Sequence, residues 1–290
     1  MQGQAWPPPT EADRLERYAQ NRLLFEGKHE QVYKDWIRLL REDQQATLEM
    51  VLNWHKRLTL LFADLLLGEP PRITAGDKDS QEQEAVERII DDNGLFNVAY
   101  EVTLDVSRYG TGIFKVRYDS RAIIEGQQPA IWFPVVKPDN IKEIQAHVLA
   151  WTYEEEALER GKTVKKKYLQ TEIHEKGKIT TAKYPIENNI IGPALEYKET
   201  ETGVDEFLVV PVNNVLTTDR VTGLDDYSDL DSIIQELEVR IAQISRILDK
   251  HADPNMYGPD TALEHDPATG QWGYRGGGKY FPVSQGEQPP

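Results

Sequence analysis

The feature that most constrains this chain is the spacing of apolar residues in 223–254, GLDDYSDLDSIIQELEVRIAQISRILDKHADP. Leu230, Ile234, Leu237, Ile241, Ile244 and Leu248 recur every three or four residues over three heptads, and Ile233 and Ile247 widen the stripe. That period belongs to one face of an α-helix, because 3.6 residues make a turn. Ser228 followed by Asp231 predicts a capping box at the start. Asp225, Asp226, Asp229 and Asp231 crowd the positive end of the helix dipole, and Arg246, Lys250 and His251 sit at the negative end. Glu236 and Arg240 form a favourable i, i+4 pair, and Pro254 marks the exit. From about 229 to 252 the rod is on the order of 36 Å long, at ~1.5 Å per residue. A seam this narrow asks for further helices alongside it, either in its own domain or on neighbouring copies.

The rest of the chain changes period once. Up to residue 110 the pattern is helical: near 11–26, 29–40, 44–67, from Ser80 to Asn93, and 95–108. Within 44–67, Leu48, Val51, Leu52, Leu58, Leu61, Phe62 and Leu65 predict a buried stripe, stopped by Gly68, Pro70 and Pro71. From GIFKVRY (112–118) onward the apolar residues alternate, with further strands expected near 130–136, 146–153, 165–174, 178–184, 193–199 and 206–211. Glu175-Lys176-Gly177 and Glu201-Thr202-Gly203 read as hairpin tips. Short turns between strands imply an antiparallel, meander-like sheet, so the fold class is α+β, with helices packed on that sheet. Pro7 to Pro9 predict a stiff, extended start without a packed core. Residues 255–290 are rich in Gly and Pro and weakly patterned.

Composition narrows the function classes. The 33 Lys and Arg against 49 Asp and Glu give a formal charge of −16, which argues against tight binding to nucleic-acid phosphates. Repulsion from anionic lipid argues against a membrane surface as partner, and the apolar runs fall far short of the ~20 residues that span a bilayer. With no cysteine, disulfides and thiolate metal sites are excluded.

No motif carries catalysis. Residues 273–279, GYRGGGK, fit seven positions of a phosphate-binding loop, but Tyr280 stands where Ser or Thr would reach Mg²⁺. A flexible glycine loop explains them better than a nucleotide-binding enzyme does. His29, His55, His147, His174, His251 and His265 show no metal-ligand spacing, and the acids at 225–231 lack the glycine and final glutamate of a calcium loop. Lys165-Lys166-Lys167 reads as a solvated strand edge. No catalytic residue, metal or cofactor is assigned.

Several segments, in order, resemble the portal (head-to-tail connector) proteins of tailed bacteriophages. They are NRLLFEGKHEQVY at 21–33, LFADLLLGEPPRI at 61–73, NGL at 93–95 leading to DVSRYGTGIFKVRYD at 105–119, and VPVNNV at 210–215 followed by the 225–254 helix. The resemblance implies an extended arm (1–14), a helical and antiparallel-sheet wing domain (15–222), a long stem helix (223–254) and the start of a clip-like segment (255–290). The family's second stem helix, tunnel loop and crown have no counterpart in these residues. It further implies a structural, non-enzymatic subunit of a homo-oligomeric ring, usually of twelve, at a capsid vertex of the virion, assembled in the host cytoplasm. Double-stranded DNA would pass through without sequence recognition. The expected partners are the packaging ATPase (terminase), major capsid and scaffold proteins, and a tail adaptor. The seam Leu230, Ile234, Leu237, Ile241, Ile244 and Leu248 then becomes the candidate subunit interface, and the acidic charge suits a channel wall that repels phosphates. An acidic scaffold or adaptor without a channel is the alternative.

Overall fold

The computed structural model describes residues 2–34, 52–159, 162–252, 256–258, 264–265, 272–273 and 280–283. The chain divides into two units: Met1–Val32 with Asn53–Leu230, and Tyr33–Leu52 with Asp231–Pro290.

The first unit opens with helices α1 (Ala12–Glu26), α2 (His29–Val32), α3 (Trp54–Leu67), α4 (Gln81–Asn93) and α5 (Leu95–Tyr109). Their ends follow local chemistry. Asn53 accepts a hydrogen bond from the Lys56 amide at 2.9 Å, and Ser80 one from Gln83 at 3.2 Å, each satisfying an orphan donor of a first turn. Residues 44–51 of the helix expected at 44–67, and residues 35–40 of the helix expected at 29–40, lie outside the described residues.

Two antiparallel sheets follow. The smaller has the order β2-β1-β9, from β1 (Thr111–Asp119), β2 (Arg121–Gln127) and β9 (Val209–Asn213). The larger has the order β3-β4-β5-β6-β7, from β3 (Trp132–Lys137), β4 (Asn140–Glu159), β5 (Lys162–Glu175), β6 (Lys178–Glu187) and β7 (Ile190–Ile191). In it, β8 (Glu196–Glu201) also pairs with β6. The α+β class is as the sequence predicts, but one continuous meander is not what forms. Beyond Glu201 the chain leaves the large sheet, and β9 pairs with β1, so Glu201-Thr202-Gly203 is not a hairpin tip. Strand β2 has no counterpart among the expected strands. Its adjacent Ile123 and Ile124 break the alternation, and its pairing is set by the tight turn at Ser120, where φ is +59°.

The layers pack through alternating faces. Helix α5 lies on one face of the small sheet so closely that a Cβ on Gly112 would sit 2.6 Å from Val102. Ile113 and Val209, on the other face, join Trp132 and Leu149 of the large sheet in a buried cluster. Burying each such side chain stabilises the fold by ~1.5–3 kcal/mol. Val148, Ala150, Leu169, Ile186 and Ile191 line the opposite face of the large sheet. The N-terminal stretch is seated there: Gly3 and Trp6 donate backbone hydrogen bonds to Ile191 and Asn189, both at 2.8 Å, and the Trp6 ring lies 5.1 Å from Phe133.

In the second unit, helix α6 (Asp231–Ala252) precedes two short strand pairs. These are β10 (Met256–Gly258) with β13 (Tyr280–Pro282), and β11 (Glu264–His265) with β12 (Trp272–Gly273).

Candidate functional site

The site begins with the connector at 223–230. A Cβ on Gly223 would overlap the carbonyl oxygen of Gly110, and one on Gly110, where φ is +77°, would overlap the Gly223 carbonyl. Two backbones cross here at a distance only glycine allows. Asp226 accepts hydrogen bonds from Ser107 at 2.7 Å and Asn214 at 2.6 Å, tying the connector to α5 and to the loop after β9. Asp225 accepts from Arg17 at 3.0 Å and from the amides of Tyr227 and Ser228 at 2.9 and 2.8 Å. Tyr227 is buried, its hydroxyl 2.8 Å from Thr59 and its ring edge-on to His55. Burial pushes the Tyr227 phenol above its ordinary pKa, so it stays a neutral partner.

That network overturns one expectation and moves another. Helix α3 turns His55, Thr59 and Ala63 inward, while Leu58, Leu61, Phe62 and Leu65 face outward, Leu65 being 80% exposed. Leu52 is half-buried, and Leu48 and Val51 lie outside the described residues. The predicted buried stripe is therefore exposed at Leu58, Leu61, Phe62 and Leu65, because the inner side is claimed by the hydrogen bond and ring contact with Tyr227. The long helix starts at Asp231, about two residues later than expected, because Asp225 organises a turn over 225–228. Asp225 and Asp226 thus hold the connector.

Helix α6 places the seam residues on two sides. Ile234 is buried, Ile241 is half-buried, and Leu237, Ile244 and Leu248 are exposed. Leu230 precedes the helix, its amide bonded to the Tyr227 carbonyl at 2.9 Å. The buried side carries Ile234, Glu238, Val239 and Ala242. The exposed side carries Ile233, Leu237, Ile244, Ile247 and Leu248, bordered by the ion pair of Arg240 with Glu236. At 3.6 residues per turn these two sets lie on opposing flanks. The helix therefore keeps its most continuous apolar stripe outside.

A second cluster escaped the sequence. The β4–β5 register pairs His147 with His174, and Glu172 sits beside them. Lys115 of β1 reaches Glu172 at 2.6 Å, the His174 Nε2 lies 3.1 Å from the same carboxylate oxygen, and Trp132 donates to the His147 Nδ1 at 3.1 Å. Burial raises the Glu172 carboxyl, but hydrogen bonds from His174 and Lys115 outweigh it and bring it to about 2. Burial, then the neighbouring His174, lowers His147 to about 4. The signal was available in principle, since a hairpin folded near residue 160 brings 147 opposite 174. Rings of His29 and His55 also meet, with centroids 5.1 Å apart. Among the described residues no group of three or more His, Asp or Glu could hold a metal ion. His251 and His265 are exposed. Of the glycine loop at 273–279, residues 274–279 lie outside the described residues. Among those described, no helix is long and apolar enough to cross a membrane.

No curated protein matches the chain. Residues 9–259 match the model of the family described as phage portal protein, SPP1 Gp6-like. The chain belongs to that family, whose members have a structural role in the bacteriophage virion as head–tail connectors.

Proposed function

From that membership, we propose that this chain is a subunit of a ring at the capsid vertex, probing neither nucleotide nor metal but forming the conduit for DNA packaging and ejection. The observation that carries the reading is α6: a 22-residue helix with Ile233, Leu237, Ile244, Ile247 and Leu248 turned outward. An exposed stripe of this length is a standing demand for a neighbour. Side-by-side copies meet it repeatedly, and a heterologous contact closes into a ring when its rotation allows. The seam Leu230, Ile234, Leu237, Ile241, Ile244 and Leu248 is refined accordingly. Leu237, Ile244 and Leu248, with Ile233 and Ile247, form the subunit contact, and Ile234 serves the chain's own packing.

The formal charge of −16 supports the conduit, since a wall that repels phosphates lets a polyanion slide. The packaging ATPase, capsid proteins and tail adaptor are the partners this reading requires, and twelve is the expected subunit number. Negative-stain imaging of the full chain tests it: closed rings with an axial hole are expected. A strict monomer at every salt concentration would overturn the ring, and a compact oligomer without a hole would favour an acidic scaffold.

A further inference from the structure

Strands β4 and β5 outrun their neighbours. On one side, β3 accompanies β4 only as far as the pair Trp132 with Leu149. On the other, β6 accompanies β5 only to Lys167 with Ile186. Residues 155–159 and 162–166 therefore form a two-stranded arm, about 17 Å long at ~3.4 Å per residue, with no strand on either flank among the described residues. Such edges present unpaired backbone donors and acceptors.

The charges of the arm and of the pair at its base are sorted by strand. Glu154, Glu155 and Glu156 lie on β4, in register with Lys167, Lys166 and Lys165 on β5. Lys165 reaches Glu154 at 3.9 Å, and Lys183 of β6 holds Glu155 at 2.9 Å. The three glutamates, Lys165 and Lys167 are exposed. Cross-strand pairing alone would be served by any alternation of sign. Here one open edge is uniformly acidic and the other uniformly basic, so the two edges complement each other between copies. A purely protective edge needs neither the segregation nor its opposite on the second strand.

We infer that the arm is a docking element between copies of this chain: the acidic β4 edge of one copy lies along the basic β5 edge of the next. The inference rests on the ring reading and assigns it a second, electrostatic contact separate from α6. Because donor and acceptor edges differ, the contact is head-to-tail and repeats in one direction around a ring. Complementary charge of this kind selects partner and orientation.

The test exploits that polarity. In the variant Glu154→Lys, Glu156→Lys, Glu159→Lys, Lys162→Glu, Lys165→Glu, Lys167→Glu, all three cross-strand pairs keep opposite signs, and the formal charge of 154–159 goes from −4 to +2 while that of 162–167 goes from +4 to −2. Co-expressed with wild type under a different affinity tag, it should assemble with itself. Mixed oligomers, counted by sequential capture and native mass spectrometry, should fall at least about tenfold below statistical mixing. Statistical mixing would overturn the docking role, as would a folded variant that stays monomeric while wild type assembles. If the swapped chain does not fold, Lys165→Gln with Lys167→Gln decides. Wild-type assembly should weaken as salt rises and the neutral variant should assemble about tenfold more weakly at low salt, whereas identical curves would overturn the inference. Wild type that never assembles would overturn the ring itself.

Discussion

Helices α5 and α6 carry similar amphipathic patterns and resolve them in opposite ways. Helix α5 turns Val102 and Val106 into the chain's own small sheet and seals that side with Gly112. Helix α6 buries Ile234, Glu238, Val239 and Ala242 and leaves five larger apolar residues outside. The difference shows that amphipathicity specifies that a face will be covered, but not by which chain. Helix α3 makes the same point, since its outward leucines are displaced by a polar contact with Tyr227.

The largest effect should come from the glycine crossing that closes α5's end of the first unit. Gly223→Val forces its side chain into the Gly110 carbonyl. It should destabilise the first unit by ~4 kcal/mol or more, read as a lower urea midpoint. A midpoint unchanged within error would break the claim that this crossing fixes the connector.

A carboxylate on each side of α6 sharpens the contrast. Ile234→Asp places a charge at a position 5% exposed and should cost ~3 kcal/mol of local stability, seen as lost amide-exchange protection along the helix. Equal protection in mutant and wild type would mean that the buried side is assigned wrongly.

The sheet on which this architecture rests should respond to acid in two stages. His147, lowered to about 4 by burial, is neutral in the fold, while the unfolded residue protonates near 6.5. Between those values the unfolded chain binds more protons, so the contribution present above pH 6.5 is lost as pH falls towards 4. It amounts to about 3 kcal/mol. Glu172, lowered to about 2, contributes stability that is present above its unfolded value near 4.5 and is lost as pH falls through 2. His147→Gln, which retains an acceptor for Trp132, should flatten only the first stage of a pH series of denaturation curves. A mutant with the wild-type slope between pH 6.5 and 4 would reject this assignment.

Much of this was legible in residue order, where chemistry is local. The ends of α1, α4 and α5, the alternation of β1 and the turn at Gly177 follow from caps, periods and turn residues, and they appear where expected. What failed depended on contacts distant in sequence. Leu65 faces outward because Tyr227, far along the chain, takes the other side of its helix. His147 and His174 meet only once the β4–β5 register exists, and Lys115 joins them from another sheet. In the seam, heptad spacing located the apolar residues, but it could not divide Ile234 from Ile244, because the division depends on what covers each flank. The long β4–β5 arm was likewise hidden, since Lys165-Lys166-Lys167 gains meaning only opposite Glu154-Glu155-Glu156.

The central claim is that the exposed flank of α6 joins copies of this chain. Ile244→Asp tests it most directly, because Ile244 is 56% exposed and the isolated chain should tolerate a carboxylate there within ~0.5 kcal/mol. Sedimentation velocity and negative-stain imaging of the mutant beside wild type should show rings for wild type and monomers of unchanged thermal stability for the mutant. Rings of the same size and yield from the Ile244→Asp chain would contradict the account.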